Sequence, residues 1–194
     1  MNVVEELKAR IQVEGKNLGN GILTVDSILN HQIDPGLMMR MGQEFARRFT
    51  GIRVDRILTA EVSGIGPALM TALVMDVPVV YARKHKPLTM SGPVYLEVAP
   101  SHTKGGEVLL LVSAEFMPAG QHVLVMDDFL ASGKTVDKLV RMVHSANCHL
   151  AGIAVVIEKT FEGGRRALRK YGAPIEALVR ISEMEEGKPF VFID

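Results

Sequence analysis

Val123-Leu124-Val125-Met126-Asp127-Asp128-Phe129-Leu130-Ala131-Ser132-Gly133-Lys134-Thr135 places an apolar strand, two adjacent acids and a short glycine-bearing hydroxyl loop ahead of a helix. A helix N-terminus offers free backbone N–H groups and partial positive charge, so a phosphate fits the turn at 132–135 and gains hydroxyl hydrogen bonds there. Carboxylates repel phosphate but accept hydrogen bonds from hydroxyls, so Asp127 and Asp128 suit a ribose diol. The stretch predicts a site for a phosphorylated sugar. Gly133-Lys134-Thr135 also looks like the end of a nucleotide P-loop, but that loop needs a glycine five residues earlier, where its backbone wraps a polyphosphate. Asp128 stands at that position. A lone apolar-Asp-Gly pattern fits a capped structural strand equally well, and it is the second acid and the Ser-Gly-Lys-Thr turn that favour function.

Working outward, strand and helix patterns alternate: strand 54–60, helix 67–75, strand 77–82, strand 123–126, helix 135–145 and strand 153–157. That rhythm predicts a parallel α/β sheet. Upstream, Val4, Leu7 and Ile11 mark a short amphipathic helix over 4–14, and Asp34-Pro35 caps a second that carries Leu37, Met38, Met41, Phe45 and Phe49. The interval 84–121 breaks the rhythm with Thr, Ser, Gly and Pro around two β-like runs, 94–98 and 108–112, and reads as a flexible loop and hairpin. A basic helix over 165–171 and strands 175–181 and 190–193 complete the chain. The whole, 1–194, reads as one domain.

Two further loops fall at strand ends. Glu61-Val62-Ser63-Gly64-Ile65-Gly66-Pro67 joins a strand to a helix, so the N–H groups near Ser63 and Gly64 can turn toward an anion. Arg83-Lys84-His85-Lys86 brings three formal positive charges to the next strand end. Each alone is an ordinary turn or a solvated charge run. In a parallel sheet, ligands bind beyond the carboxyl ends of the strands, so these loops and the Asp127-Asp128 loop would share one crevice.

At 194 residues and 47% hydrophobic, the chain can bury one sizeable core, and its 22 basic residues match its 22 acidic ones. No global field exists to hold nucleic acid or a membrane surface. No leader-like or spanning apolar run is present, so a cytoplasmic protein is expected. Cys148, the only cysteine, excludes an internal disulfide and reads as buried filler at a helix end. The six histidines show no metal-ligand spacing, so no protein-held transition metal is expected. Met38, Met39, Met41 and Met70 fall in predicted helices as core or subunit-contact filler.

The strand-acid-acid-loop signature resembles that of the type I phosphoribosyltransferases. Three more segments, Val25-Asp26-Ser27-Ile28-Leu29-Asn30-His31-Gln32-Ile33-Asp34-Pro35, Ala82-Arg83-Lys84-His85-Lys86 and Val156-Ile157-Glu158-Lys159-Thr160-Phe161, resemble the bacterial members that act on xanthine. The resemblance implies that family's fold: a central parallel sheet flanked by helices, a hood from the N-terminal segment within 1–35 and from the C-terminal part, and a flexible lid over 84–103. It implies transfer of a 5-phosphoribosyl group from 5-phosphoribosyl 1-diphosphate to xanthine in purine salvage, with Mg²⁺ arriving on the diphosphate. Asp127 and Asp128 would hold the ribose. Ala131, Ser132, Gly133, Lys134 and Thr135 would hold the 5-phosphate, and Ser63, Gly64, Arg83 and Lys84 the diphosphate. Lys159 would meet the exocyclic oxygen of a 6-oxopurine, Phe161 would offer a stacking face, and Leu23 and Asn30 would close over the base. A homodimer is implied, with basic residues near 83–86 reaching the neighbouring site. Another base, guanine or hypoxanthine, remains open. A non-catalytic regulator that senses the same diphosphate remains the remoter alternative, because the N-terminal segment is too short for an added DNA-binding domain.

Overall fold

The computed structural model describes residues 2–87, 90–100 and 107–194. Helix α1, Val3–Glu14, is capped by Asn2, whose side chain accepts from Glu5 N, and buries Val3, Leu7 and Ile11 at four-residue spacing. Strands β1, Lys16–Asn17, and β2, Leu23–Thr24, form a small antiparallel ribbon, followed by a wide helical turn at Asp26–Asn30. Helix α2, Pro35–Arg48, starts where Asp34 accepts from Leu37 N and buries Leu37, Met38, Met41 and Phe45. Its stripe lies against the sheet, as its sequence requires.

The main sheet holds β3 (Arg56–Ala60), β4 (Val79–Ala82), β7 (His122–Leu130), β8 (His149–Lys159), β9 (Ile175–Glu183) and β10 (Val191–Ile193), in the order β10-β9-β8-β7-β3-β4. Five strands run parallel and β10 is antiparallel to β9. The link between those last two strands is too short for a crossover, so the chain turns back on itself and the sheet is mixed rather than purely parallel. Helices α3 (Ile65–Met75), α4 (Lys134–Ser145) and the short α5 (Gly164–Leu168) make the connections. Strands β5 (Val94–Pro100) and β6 (Glu107–Ser113) form a separate antiparallel pair. Their connection at 101–106, and parts of the segment expected to act as a lid, lie outside the described residues.

Alternate residues of β7 face opposite cores. Leu124 and Met126 pack with α1, α2 and the N-terminal segment, whereas Val123 and Val125 pack with Val136, Leu139, Val140 and Val143 of α4. A continuous apolar run in the sequence is therefore a strand buried on both sides. Element boundaries shift from the sequence expectation by a few residues, as at β8, expected over 153–157 and observed at His149–Lys159, and two further differences bear on the site. Strand β7 continues through Leu130 because the long β8 supplies partners to its end, pairing Asp127 with Val155 and Leu130 with Glu158. The expected helix over 165–171 is only α5 followed by a 3-10 turn, Arg169–Tyr171, which stops at Gly172 in the left-handed region. Cys148 is buried just beyond α4.

The strand order places the site. From β3 the chain crosses to β4 on one side, and after the β5–β6 pair it returns to β7 on the other. A crevice opens where neighbouring connections leave a sheet in opposite directions, here between the carboxyl ends of β3 and β7.

Candidate active site

Asp127 and Asp128 occupy the carboxyl end of β7. Asp127 is buried; its Oδ1 accepts from Asp128 N at 3.1 Å, and Asp128 Oδ1 accepts from Phe129 N at 2.9 Å. Burial, and then the neighbouring Asp128 charge, push the Asp127 carboxyl well above the usual carboxylate range. Asp127 thus keeps its proton to higher pH than an isolated acid would.

Beyond the acids, the chain turns through Gly133 at φ 81° into α4. A β-carbon on Gly133 would lie 3.1 Å from Gly164 Cα, and one on Gly164 would lie 2.3 Å from the Ala131 oxygen. Gly164 N donates to that oxygen at 2.9 Å. Two glycines in contact thus clamp the loop onto the start of α5 and hold it open at the mouth of α4. Ser132 Oγ is buried and has no hydrogen-bond partner.

The turn after β3 faces this loop. Gly64 admits no side chain, since a β-carbon there would lie 2.3 Å from Thr59 Oγ1 and 3.2 Å from Asp127 Oδ1. Glu61 accepts from Lys84 N at 2.6 Å, which ties the ends of β3 and β4 together. From the opposite side, Asn30 Nδ2 donates to Ser63 Oγ at 3.1 Å and to Asp128 Oδ2 at 3.2 Å. Lys159 Nζ, at the end of β8, donates to the Gly21 carbonyl at 2.6 Å and pairs with Glu162.

These elements enclose a cleft of about 630 Å³. Of the residues singled out from the sequence, Asp127, Asp128, Ala131, Gly133, Lys134, Thr135, Ser63, Gly64, Lys84, Leu23, Asn30 and Lys159 line it. Three do not. Ser132 is turned into the protein; Arg83 is held by a backbone bridge to Leu111, with its Nε buried and unpartnered; Phe161, 47% exposed, sits on the outer side of its turn. The structure therefore brings neither the Arg83 guanidinium nor a Phe161 stacking face into the cleft. It adds Glu61, Phe129 and Glu162, which the sequence reading passed over. Phe129 breaks the alternation of β7, packing with the core that takes Leu124 and Met126 while Leu130 joins the one that takes Val123 and Val125, so its place was not legible locally; Glu61 and Glu162 carried no signal either, because their place depends on turns that only tertiary contacts fix.

The phosphoribosyl transferase domain family matches residues 24–183. The chain belongs to this family. Among curated relatives, the xanthine phosphoribosyltransferase of Deinococcus deserti is 47% identical over 181 residues, covering 93% of this chain and 94% of its own length. That of Moorella thermoacetica is 44% identical over 188 residues, covering 97% and 96%. Among solved structures, adenine phosphoribosyltransferase from Thermoanaerobacter pseudethanolicus superposes with a TM-score of 0.74 at 23% identity, covering 91% of this chain and 99% of that one. The Trypanosoma brucei enzyme, in complex with AMP, pyrophosphate and ribose-5-phosphate, gives 0.76 at 18% identity, covering 96% and 84%. The fold is therefore that of the type I phosphoribosyltransferases.

Proposed function

We propose that this protein is a xanthine phosphoribosyltransferase of purine salvage, moving the 5-phosphoribosyl group of 5-phosphoribosyl 1-diphosphate onto a ring nitrogen of xanthine, with xanthosine 5′-monophosphate and diphosphate as products. The observation that carries this reading is the position of Asn30, which bonds at once to the Asp128 carboxylate and to the loop after β3. It joins a sugar-and-anion half of the cleft to a half lined by Lys159 and Leu23.

Departure of diphosphate leaves positive charge on the ribose carbon, so the reaction is helped by groups that hold the diol, neutralise the leaving group and exclude water. Asp127 and Asp128 hold the ribose hydroxyls, and their negative potential favours the developing cation. Amides of the 131–135 loop hold the 5-phosphate at the start of α4. Ser63, Gly64 and Lys84 face the diphosphate. Among the described residues, no group of three or more His, Cys, Asp or Glu side chains could hold a metal ion. In this reading Mg²⁺ arrives with the substrate, because hard cations prefer the diphosphate oxygens.

Lys159 and Asn30 face the base. An ammonium donates to a 6-oxo group, and an amide can both donate and accept, which suits a purine with a second oxygen and a ring N–H. Guanine and hypoxanthine share the 6-oxo group and are the competing bases. Diphosphate release measured with xanthine, guanine, hypoxanthine and adenine tests the proposal: the highest kcat/KM belongs to xanthine, and absence of release with every base would refute it.

A homodimer forms part of the same proposal. Leu69 and Leu73 of α3 are 50% and 63% exposed, and they border an apolar groove with Val77, Pro78 and Val79 at the β4 edge of the sheet. Sedimentation velocity would give a dimer for the native chain and a monomer for Leu73→Glu.

A further inference from the structure

The 3-10 turn Thr160–Glu162 that follows β8 points Phe161 outward and folds Glu162 back onto Lys159. Both charged side chains line the cleft, with side-chain exposures of 11% for Lys159 and 28% for Glu162. The N-terminal hood lies over the pair: Lys159 Nζ donates to the Gly21 carbonyl at 2.6 Å, and Glu162 Oε1 is 3.4 Å from the point where a β-carbon on Gly21 would stand. The ammonium has three protons to donate, and Gly21 and Glu162 take two of them. One donor remains for a ligand. The carboxylate, with about four lone-pair directions, has acceptor capacity left beside it.

From this pairing, and resting on the reading of the cleft as a purine site, we propose that Glu162 is a specificity-determining residue that accepts the N1–H of a 6-oxopurine while Lys159 donates to the neighbouring 6-oxygen. A 6-oxopurine edge carries an acceptor next to a donor, and the protein offers a donor-only cation next to an acceptor-only anion. The match is one of polarity as well as shape. Adenine reverses both positions, with an amino donor at C6 and a lone pair at N1, so each contact becomes repulsive and two half-buried charges lose partners. The contact with Lys159 also holds the Glu162 carboxylate in the cleft, so the acceptor is in place before the base enters.

The alternative is that Glu162 merely props Lys159, and 1-methylxanthine separates the two roles because it keeps the 6-oxygen and lacks the N1 proton. Wild-type enzyme should prefer xanthine over 1-methylxanthine by about a hundredfold or more in kcat/KM, as sites built around a polar contact do. Glu162→Ala should shrink that preference at least tenfold, mainly through KM for xanthine, with KM for 5-phosphoribosyl 1-diphosphate unchanged. Glu162→Gln, which retains an acceptor oxygen and gives a thermal melt like that of wild type, should restore most of it. Equal losses on both bases in Glu162→Ala, or equal use of both by the wild type, would overturn the assignment. Failure of the wild type to use any 6-oxopurine would instead refute the purine-site reading on which the assignment rests.

Discussion

The two halves of the cleft are built in opposite ways. The half proposed to take sugar and phosphate comes from one continuous stretch, β7 running into α4, where backbone amides and two carboxylates are fixed by strand geometry. The half proposed to take the base is assembled from residues far apart in the chain: Gly21, Leu23 and Asn30 from the N-terminal segment, Lys159 and Glu162 from the end of β8 and the turn after it. A contiguous half can be used for many bases, and a composite half can change specificity by altering single side chains without disturbing the chemistry. Damage to the first should therefore appear in turnover or in the KM for 5-phosphoribosyl 1-diphosphate, and damage to the second in recognition of the base.

The largest effect expected is from Asp128→Asn, which leaves a neutral side chain of the same shape on the ribose. Turnover should fall about a hundredfold, the loss typical of one electrostatic group at a reacting centre, with the circular dichroism unchanged. Nearly full activity would show that the β7 tip is not the sugar site. Lys159→Ala should raise the KM for xanthine by about tenfold or more, the worth of a charged hydrogen bond, and barely change that for 5-phosphoribosyl 1-diphosphate. Equal changes in both would dissolve the division between the halves.

A smaller and more general effect is expected at Gly164. An alanine there puts its β-carbon 2.3 Å from the Ala131 oxygen and 2.8 Å from Gly133 N, so the phosphate loop or α5 must shift. Gly164→Ala should destabilise the protein by about 1–3 kcal/mol, measured by denaturant unfolding, and raise KM for 5-phosphoribosyl 1-diphosphate rather than for xanthine. The smallest effect runs the other way. Because the folded protein binds the Asp127 proton more tightly than the unfolded chain does, this group's contribution to stability is fullest below the ordinary carboxylate pKa and is lost as pH rises toward the raised folded value. Asp127→Asn removes that loss. At neutral pH it should raise the melting temperature by a few degrees, about what 1 kcal/mol gives in a chain of this size, while lowering activity.

The same contrast explains what the sequence could convey. Val123 to Thr135 announced strand, acids, turn and helix in order, because each preference is local: β-branched and apolar residues, a left-handed glycine, a helix start. The extension of β7 past Met126 was invisible because it depends on the length of its partner β8. On the base side, a Lys at a strand end has no local mark of function, and only the family resemblance singled out Lys159. Glu162 and Phe161 illustrate the remaining gap. They are neighbours, yet a single 3-10 turn sends the carboxylate into the cleft and the ring to solvent, and that turn is set by packing between β8, β9 and α5 rather than by either residue's own preference.

A crystal structure with xanthosine 5′-monophosphate bound addresses the division of the cleft most directly. The phosphate should rest on the amides of residues 131–135, the ribose hydroxyls on Asp127 and Asp128, and the purine between Asn30 and Lys159. A monophosphate bound elsewhere, with both carboxylates bare, would contradict the account.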